Sequence, residues 1–263
     1  MGIINITPDS FYAASRRESE AEIIHHVQRM IEEGASIIDI GAQSSNPSSP
    51  LVAEADEAKR LHRGLSVIRK EFPEAILSVD TFYAGVAKMC VEKFGVDIIN
   101  DISGGQIDDK MFSTVAQLKV PYILMHIKGT PQTMTRETRY KHFAQDIFFY
   151  FSEKIKRLNS LGISDIIIDP GFGFSKTLDQ NYEMMAQLRN FHIFELPLLV
   201  GISRKSMIYN FLNIRPEECL NGTSALNMYA LSQGANILRV HDVKEAVETV
   251  SLFRKLQISA PIT

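Results

Sequence analysis

Cysteine is scarce in this chain of 263 residues: only Cys90 and Cys219 occur, far apart. Neither CxxC nor metal-ligand spacing is present, so a disulfide framework and a zinc site are both excluded, and a reducing compartment suits the pair. No apolar run reaches membrane-spanning length, and Met1-Gly2-Ile3-Ile4-Asn5 has neither the basic segment nor the long apolar core of a secretory leader. The expectation is a cytoplasmic protein with no membrane partner. An excess of positive charge is missing too. With a net charge of −3 there is no general nucleic-acid surface, so an anion site has to be built locally from a few cations and backbone amides. Ser175-Lys176-Thr177 lacks the full P-loop spacing, which removes a nucleotide-triphosphatase. The His25-His26 pair falls within a predicted outer helix and reads as a solvated face rather than a metal site.

What is present is core. Hydrophobic residues make up 45% and charged residues 22%, which is ordinary for a globular protein and argues against disorder. Short apolar runs at Gly2–Ile6, Ser36–Ile40, Ile76–Val79, Val96–Ile99, Tyr122–Met125, Asp165–Ile168, Leu198–Ile202 and Asn236–Val240 do not alternate with polar residues, and so predict strands buried on both faces. Amphipathic stretches between them predict helices over Ala21–Glu33, Ala53–Glu71, Tyr83–Phe94, Asp109–Leu118, Tyr140–Leu161, Gln180–Asn190, Asn221–Gln233 and Val243–Leu256. Gly34, Gly95, Gly162 and Gly234 follow the first, third, fifth and seventh of these, where a left-handed residue commonly ends a helix. No Pro/Ser-rich linker interrupts the alternation. Right-handed β-then-α units in series curl a sheet onto itself, and a (β/α)8 TIM barrel takes about 250 residues, so one barrel domain over residues 1–263 is expected. An open doubly wound sheet is the rival.

Polar residues close the apolar runs: Asn5, Asp39 with Gly41, Asp80, Asn100 with Asp101, His126, Asp169, Ser203 with Lys205, and Arg239 with His241. A barrel gathers all of them on its carboxyl-end rim, where barrel active sites sit. Asp and Asn also end strands and cap helices. Asp101, before Ile102-Ser103-Gly104-Gly105, and Asp242, before the last helix, read as such caps, and Asp39 reads as structural. Asp80, Asn100, Asp169 and Lys205 come from four strands, and carboxylates with amide and ammonium partners suit a flat heterocycle with adjacent donors and acceptors. Arg239 and His241, two residues apart, point the same way and predict a cationic clamp.

The motifs taken together, Met1-Gly2-Ile3-Ile4-Asn5-Ile6-Thr7-Pro8-Asp9-Ser10-Phe11, Ser78-Val79-Asp80-Thr81, Ile99-Asn100-Asp101-Ile102-Ser103-Gly104-Gly105, Met125-His126, Asp169-Pro170-Gly171, Gly201-Ile202-Ser203-Arg204-Lys205-Ser206 and Arg239-Val240-His241-Asp242, resemble the dihydropteroate synthase family across essentially the whole chain. The resemblance implies a pterin-binding barrel and a transferase of folate biosynthesis. Such an enzyme joins 4-aminobenzoate to 6-hydroxymethyl-7,8-dihydropterin pyrophosphate with Mg2+, and is usually a homodimer through its late helices. It implies that Asp80, Asn100, Asp169 and Lys205 hold the pterin, and that Asn5, Arg239 and His241 hold pyrophosphate, with Asn5 near the metal. Ser45, Pro47, Phe174 and Ser206 would flank aminobenzoate. Catalysis would fall to Asp169, Lys205, Arg239 and His241.

The chain departs from the family in places. The family's first loop usually carries an Asp two residues after Asp-Ser-Phe, where Ala13 stands here, and its second loop usually reads Ser-Thr-Arg-Pro, where Ser44-Ser45-Asn46-Pro47 stands. One acid and one base are thus replaced in the loops expected to close over pyrophosphate and aminobenzoate. The chain also begins at its first predicted strand, without the short segment common in the family. The alternatives are a pterin-binding relative with weak or no synthase activity, and a methyltetrahydrofolate-binding methyl-transfer module. A methylated folate carries no pyrophosphate for Arg239 and His241 to hold, which counts against the second.

Overall fold

The structure, a computed structural model, describes residues 1–6, 16–43 and 51–259. Its strands are β1 (Gly2–Asn5), β2 (Ile38–Gly41), β3 (Leu77–Asp80), β4 (Ile98–Asp101), β5 (Tyr122–Met125), β6 (Ile166–Asp169), β7 (Leu199–Val200) and β8 (Ile237–Leu238). Between and after them run α1 (Arg16–Glu32), α2 (Glu54–Glu71), α3 (Ala84–Phe94), α4 (Met111–Leu118), α5 (Phe143–Ser160), α6 (Leu178–Ala186), α7 (Ser206–Leu212), α8 (Leu220–Ser232) and α9 (Val243–Ser259).

Strands β1 to β6 pair in parallel in sequence order, and β7 pairs with β8. Two parallel bridges join these sheets into a ring, Ile168 with Leu198 and Gly2 with Val240. Hydrogen bonds support both seams: Ile168 N–H donates to the Pro197 carbonyl at 2.9 Å, and Val240 N–H to the Met1 carbonyl at 2.9 Å. The eightfold alternation therefore closes as a (β/α)8 barrel, not as the open doubly wound sheet.

Apolar packing has two layers. Ile4, Ile40, Val79, Ile99, Leu124 and Ile168 face outward into the main core shared with the helices. Inside the barrel, Ile98, Ile123, Ile167 and Leu199 pack with Met1, Ile37 and Ile237 as a plug. Barrels are filled by such layers of branched side chains, so everything bound must sit above the plug at one mouth.

Helix ends follow local chemistry. Gly34, Gly95, Gly162 and Gly234 all have positive φ, the backbone turn expected of them. Where expectation and structure differ, a cap or a tight turn explains it. Helix α6 begins at Leu178, earlier than the pattern suggests, because Thr177 and Gln180 form a reciprocal capping box. It also stops at Ala186 and passes into a 3-10 turn over Leu188–Phe194. Helix α7 was not legible as a separate element: its seven residues are too few to show a helical period.

Candidate active site

Two residues further along a strand is the same face of it. Starting from the interior plug residues Ile37, Ile98, Ile167 and Ile237, that step arrives at Asp39, Asn100, Asp169 and Arg239, so the barrel interior changes from apolar to charged in a single layer. Register then aligns the first half of the mouth. Asn5 pairs with Gly41, Gly41 with Asp80, and Asp80 with Asn100. Gly41 matters for its missing side chain: a Cβ there would lie 3.1 Å from Asn5 Oδ1 and 3.6 Å from Asp80 Cβ, filling the space between them.

Arg239 spans the mouth. Its Nε donates to Asp39 Oδ2 at 2.6 Å and its Nη2 to Asp80 Oδ2 at 2.8 Å, while Asn100 Nδ2 donates to the same Asp39 oxygen at 3.1 Å. Asp39 is fully buried. A buried carboxylate needs a paired cation, and Arg239 with its fixed fork is suited to serve two at once. Burial pushes the Asp80 carboxyl upward and Arg239 opposes that shift.

On the other side, Asp169 accepts the Gly171 N–H at 2.8 Å. Burial raises its pKa, against the attraction of Lys205 first and of Arg239 and Lys176 after it. Lys205 donates to the Phe172 carbonyl, and its Nζ lies 4.7 Å from the centre of the Phe174 ring. Burial pushes the Lys205 ammonium down to about 8, with Asp169 opposing. Asp80, Asn100, Asp169, Lys205 and Arg239 are therefore brought to one mouth, together with Phe174 and Asn5. Ser206 follows Lys205 as the first residue of α7. Ser45 and Pro47, with Ala13 and Asn46, lie outside the described residues.

Arg239 and His241, expected to act as a cationic clamp, both have partners within the protein. The Arg239 guanidinium is turned to Asp39 and Asp80, and only Nη1 is left unengaged by them. His241 instead places Nδ1 3.1 Å from Ser203 Oγ. Burial at the mouth, and then Arg239, pull its pKa below the ordinary histidine range, so the ring is neutral at pH 7.

Asp101 closes the turn after β4, as its sequence position implies, whereas Asp242, expected to cap the last helix, is found in an ion pair. Asp101 accepts from Ser103 N–H, Gly105 N–H and the Tyr122 hydroxyl at 2.7, 2.8 and 2.6 Å. Asp242 pairs with Arg204 at 2.7 and 2.9 Å. Asp39, also read as structural, is instead tied to Arg239 inside the site.

Two buried groups escaped the sequence reading. Glu57 of α2 accepts from Thr81 Oγ1 and from Gln43 Nε2, the latter at 2.8 Å. With Gln43, Asp80, Thr81, Phe82 and Ile102 it lines a small cavity beside Asp80 with room for about one water. Lys176 donates to Gly171 O, Phe174 O and His126 Nδ1 at 2.9, 3.1 and 3.0 Å. A lysine inside a turn and a glutamate inside a helix look like surface residues in a sequence, and no spacing marks them as buried.

A closed parallel barrel whose carboxylates, amide and cations meet above an apolar plug has the form of a barrel enzyme for a small polar ligand. The chain belongs to the pterin-binding enzyme family, which it matches over residues 1–241. It is 41% identical to the dihydropteroate synthase of Escherichia coli over 252 residues, covering 95% of this chain and 88% of that protein. The Yersinia pestis dihydropteroate synthase, solved with a sulfonamide drug complex, superposes with a TM-score of 0.91 at 38% identity, over 98% of this chain and 94% of that one. The Thermus thermophilus enzyme, solved in complex with 4-aminobenzoate, gives a TM-score of 0.86 at 30% identity, over 97% and 93%.

Proposed function

We propose that this chain is a dihydropteroate synthase, a transferase that joins 4-aminobenzoate to 6-hydroxymethyl-7,8-dihydropterin pyrophosphate and releases pyrophosphate. The observation that carries the reading is the meeting of Asp80, Asn100, Asp169 and Arg239, from the ends of β3, β4, β6 and β8, with Lys205 from the loop after β7, around one mouth. Two carboxylates, one amide and one ammonium supply the acceptors and donors that a pterin edge requires, and Phe174 supplies an apolar wall.

The reaction breaks the bond between the pterin's exocyclic methylene and the pyrophosphate oxygen, and the bonding pair leaves with pyrophosphate. As it departs, the electron-rich pterin delocalises positive charge. Asp169 stabilises that charge from a buried position where its field is little screened. Arg239 Nη1 and the neutral ring of His241 donate to the departing anion, while Lys205 holds the pterin beside Phe174. The amine nitrogen of aminobenzoate then forms the new bond to the methylene and loses a proton. No protein nucleophile is required.

Mg2+ belongs to this reading through Asn5. Its side-chain oxygen stands at the exposed end of β1, next to the space that Gly41 leaves open. Among the described residues no group of three or more His, Cys, Asp or Glu forms a cage. Mg2+ characteristically takes one or two protein oxygens and completes its shell with substrate phosphates and water, so a single carbonyl oxygen at the pyrophosphate end fits. When bound, the ion supplies positive charge that stabilises the leaving pyrophosphate.

The finer features follow the family. Phe211, Tyr229, Leu252 and Leu256 are exposed on α7, α8 and α9, a surface suited to a homodimer, whereas Leu231 is core. No described helix is long and apolar enough to cross a membrane, and two free buried cysteines suit the cytoplasm. The deciding assay is pyrophosphate release with Mg2+ and saturating pterin pyrophosphate. Release that depends on added aminobenzoate, with dihydropteroate formed in equal amount, is the expected result. No release under these conditions would leave a pterin-binding relative without synthase activity.

A further inference from the structure

The ammonium of Lys176 is buried, and all three of its protons are committed. Gly171 O, Phe174 O and His126 Nδ1 surround it at 2.9, 3.1 and 3.0 Å, and an ammonium has three donors and no more. It has none left for a substrate. What it holds is the turn that follows β6, residues 170 to 176. Gly171, Gly173 and Ser175 all have left-handed φ, at 70°, 79° and 51°, which the two glycines adopt freely and which is costly only for Ser175. The turn is also closely packed: a Cβ at Gly171 would lie 2.1 Å from the His126 carbonyl oxygen, and one at Gly173 would lie 3.2 Å from Lys205 Cδ.

The outer side of the same turn builds the site. Between the two carbonyls that Lys176 grips, at 171 and 174, the Phe172 carbonyl accepts from Lys205. Directly after it the Phe174 ring lies 4.7 Å from the Lys205 ammonium. Lys176 and Lys205 thus bond different carbonyls of one turn, and both bear on Asp169, whose charged form each of them favours. Burial pulls Lys176 down to about 7, with Asp169 opposing and repulsion from Lys205 adding to it, whereas for Lys205 the cation that adds to burial is Arg239.

We propose that Lys176 is a positioning residue of the pterin pocket, acting through the turn after β6 to set Lys205 and Phe174 in place and adding a second positive charge behind Asp169. This rests on the pterin-transferring reading of the site. His126 completes the device: its buried ring sits against Tyr140 and Tyr150, with centroids 6.1 and 4.9 Å away, and presents Nδ1 to the lysine as an acceptor.

The test is a double-mutant cycle between Lys176 and Lys205 in the full chain. It is read by calorimetric titration with pterin pyrophosphate and by thermal denaturation to establish folding. Lys176→Met should weaken pterin pyrophosphate at least tenfold. In a Lys205→Ala background the same change should weaken it by only about threefold, because Lys176 has then lost one of the groups it positions and acts only through Phe174 and Asp169. Loss of fold alone would not produce that coupling. Lys176→Gln keeps two donors without the charge and should fall about threefold below the parent. If Lys176→Met does not fold, the Gln variant carries the same cycle. Additive effects, or near-parental affinity in a folded Lys176→Met chain, would overturn the proposal while leaving the pterin reading intact. A parent chain that fails to bind pterin pyrophosphate would overturn both.

Discussion

Arg239 Nη2 stands 2.8 Å from Asp80 Oδ2, which ties the end of β8 to the end of β3 across the barrel mouth. The same guanidinium donates to Asp39 at 2.6 Å. One cation therefore serves two carboxylates, and among the described residues no other side-chain cation pairs with the fully buried Asp39. Arg239→Met should strand that charge. Removing one partner of a buried pair costs about 3–5 kcal/mol, so the variant's unfolding midpoint in urea should fall steeply. Adding Asp39→Asn to it should recover much of the loss. A single variant within about 1 kcal/mol of the parent would show that the pair holds little.

Asp169 and Lys205 are expected to act on the rate. An amide at 169 keeps the shape and the Gly171 N–H bond but cannot balance charge on the pterin, and alanine at 205 releases both the Phe172 carbonyl and the Phe174 ring. Asp169→Asn and Lys205→Ala should each lower kcat by more than tenfold, equivalent to at least about 1.4 kcal/mol of transition-state stabilisation. Steady-state rates at saturating substrates check this, and near-normal turnover in both variants would refute the roles.

The barrel was legible because its signal repeats: eight apolar runs, eight amphipathic stretches, and glycines after alternate helices that do take left-handed φ. The mouth was legible for a related reason, since polar residues that end strands such as β3 and β4 have to share a rim once the barrel closes. Partner choice was not. The distance between Arg239 and Asp39 along the chain is 200 residues, and nothing in the spacing of Arg239 and His241 shows that the arginine turns inward while the histidine turns to Ser203. Period two was available and would have helped: reading inward from Ile98 to Asn100 and from Ile167 to Asp169 separates site residues from outward ones. Glu57 and Lys176 depend on contacts between elements far apart in sequence, and only the assembled fold reveals them.

Glycine replacements should separate close approach from backbone conformation. Gly95, at φ 58°, has open space around its missing side chain, whereas at Gly171, φ 70°, a Cβ would lie 2.1 Å from a backbone oxygen that cannot move independently. Gly95→Ala should cost about 1 kcal/mol for the left-handed backbone alone. Gly171→Ala should cost more, at least about 3 kcal/mol, and should displace Asp169 by taking the Gly171 N–H out of line. Equal unfolding free energies for the two variants would show that the turn after β6 is not tightly packed.

Glu57 sets a pH dependence of stability whose sign can be worked out. Burial pushes its carboxyl up from 4.5 to about 7, against hydrogen bonds from Thr81 and Gln43 and the charge of Arg60. Between those values the folded chain keeps a proton that the unfolded chain has lost. The stabilisation this group offers is therefore complete below about pH 4.5 and is lost as the pH rises through about 7. A raised carboxylate behaves oppositely to a salt-bridged one, whose contribution disappears in acid. From pH 5 to pH 8 the Glu57 share of the loss is about 2–3 kcal/mol, at 1.36 kcal/mol per pKa unit. Glu57→Gln retains a neutral side chain able to bond with Thr81 and Gln43 and does not titrate. Its unfolding free energy should fall less than the parent's over that range, by the Glu57 share. The two proteins would be compared by urea denaturation at pH 5 and pH 8, and parallel losses would show that Glu57 is ionised in the folded chain throughout.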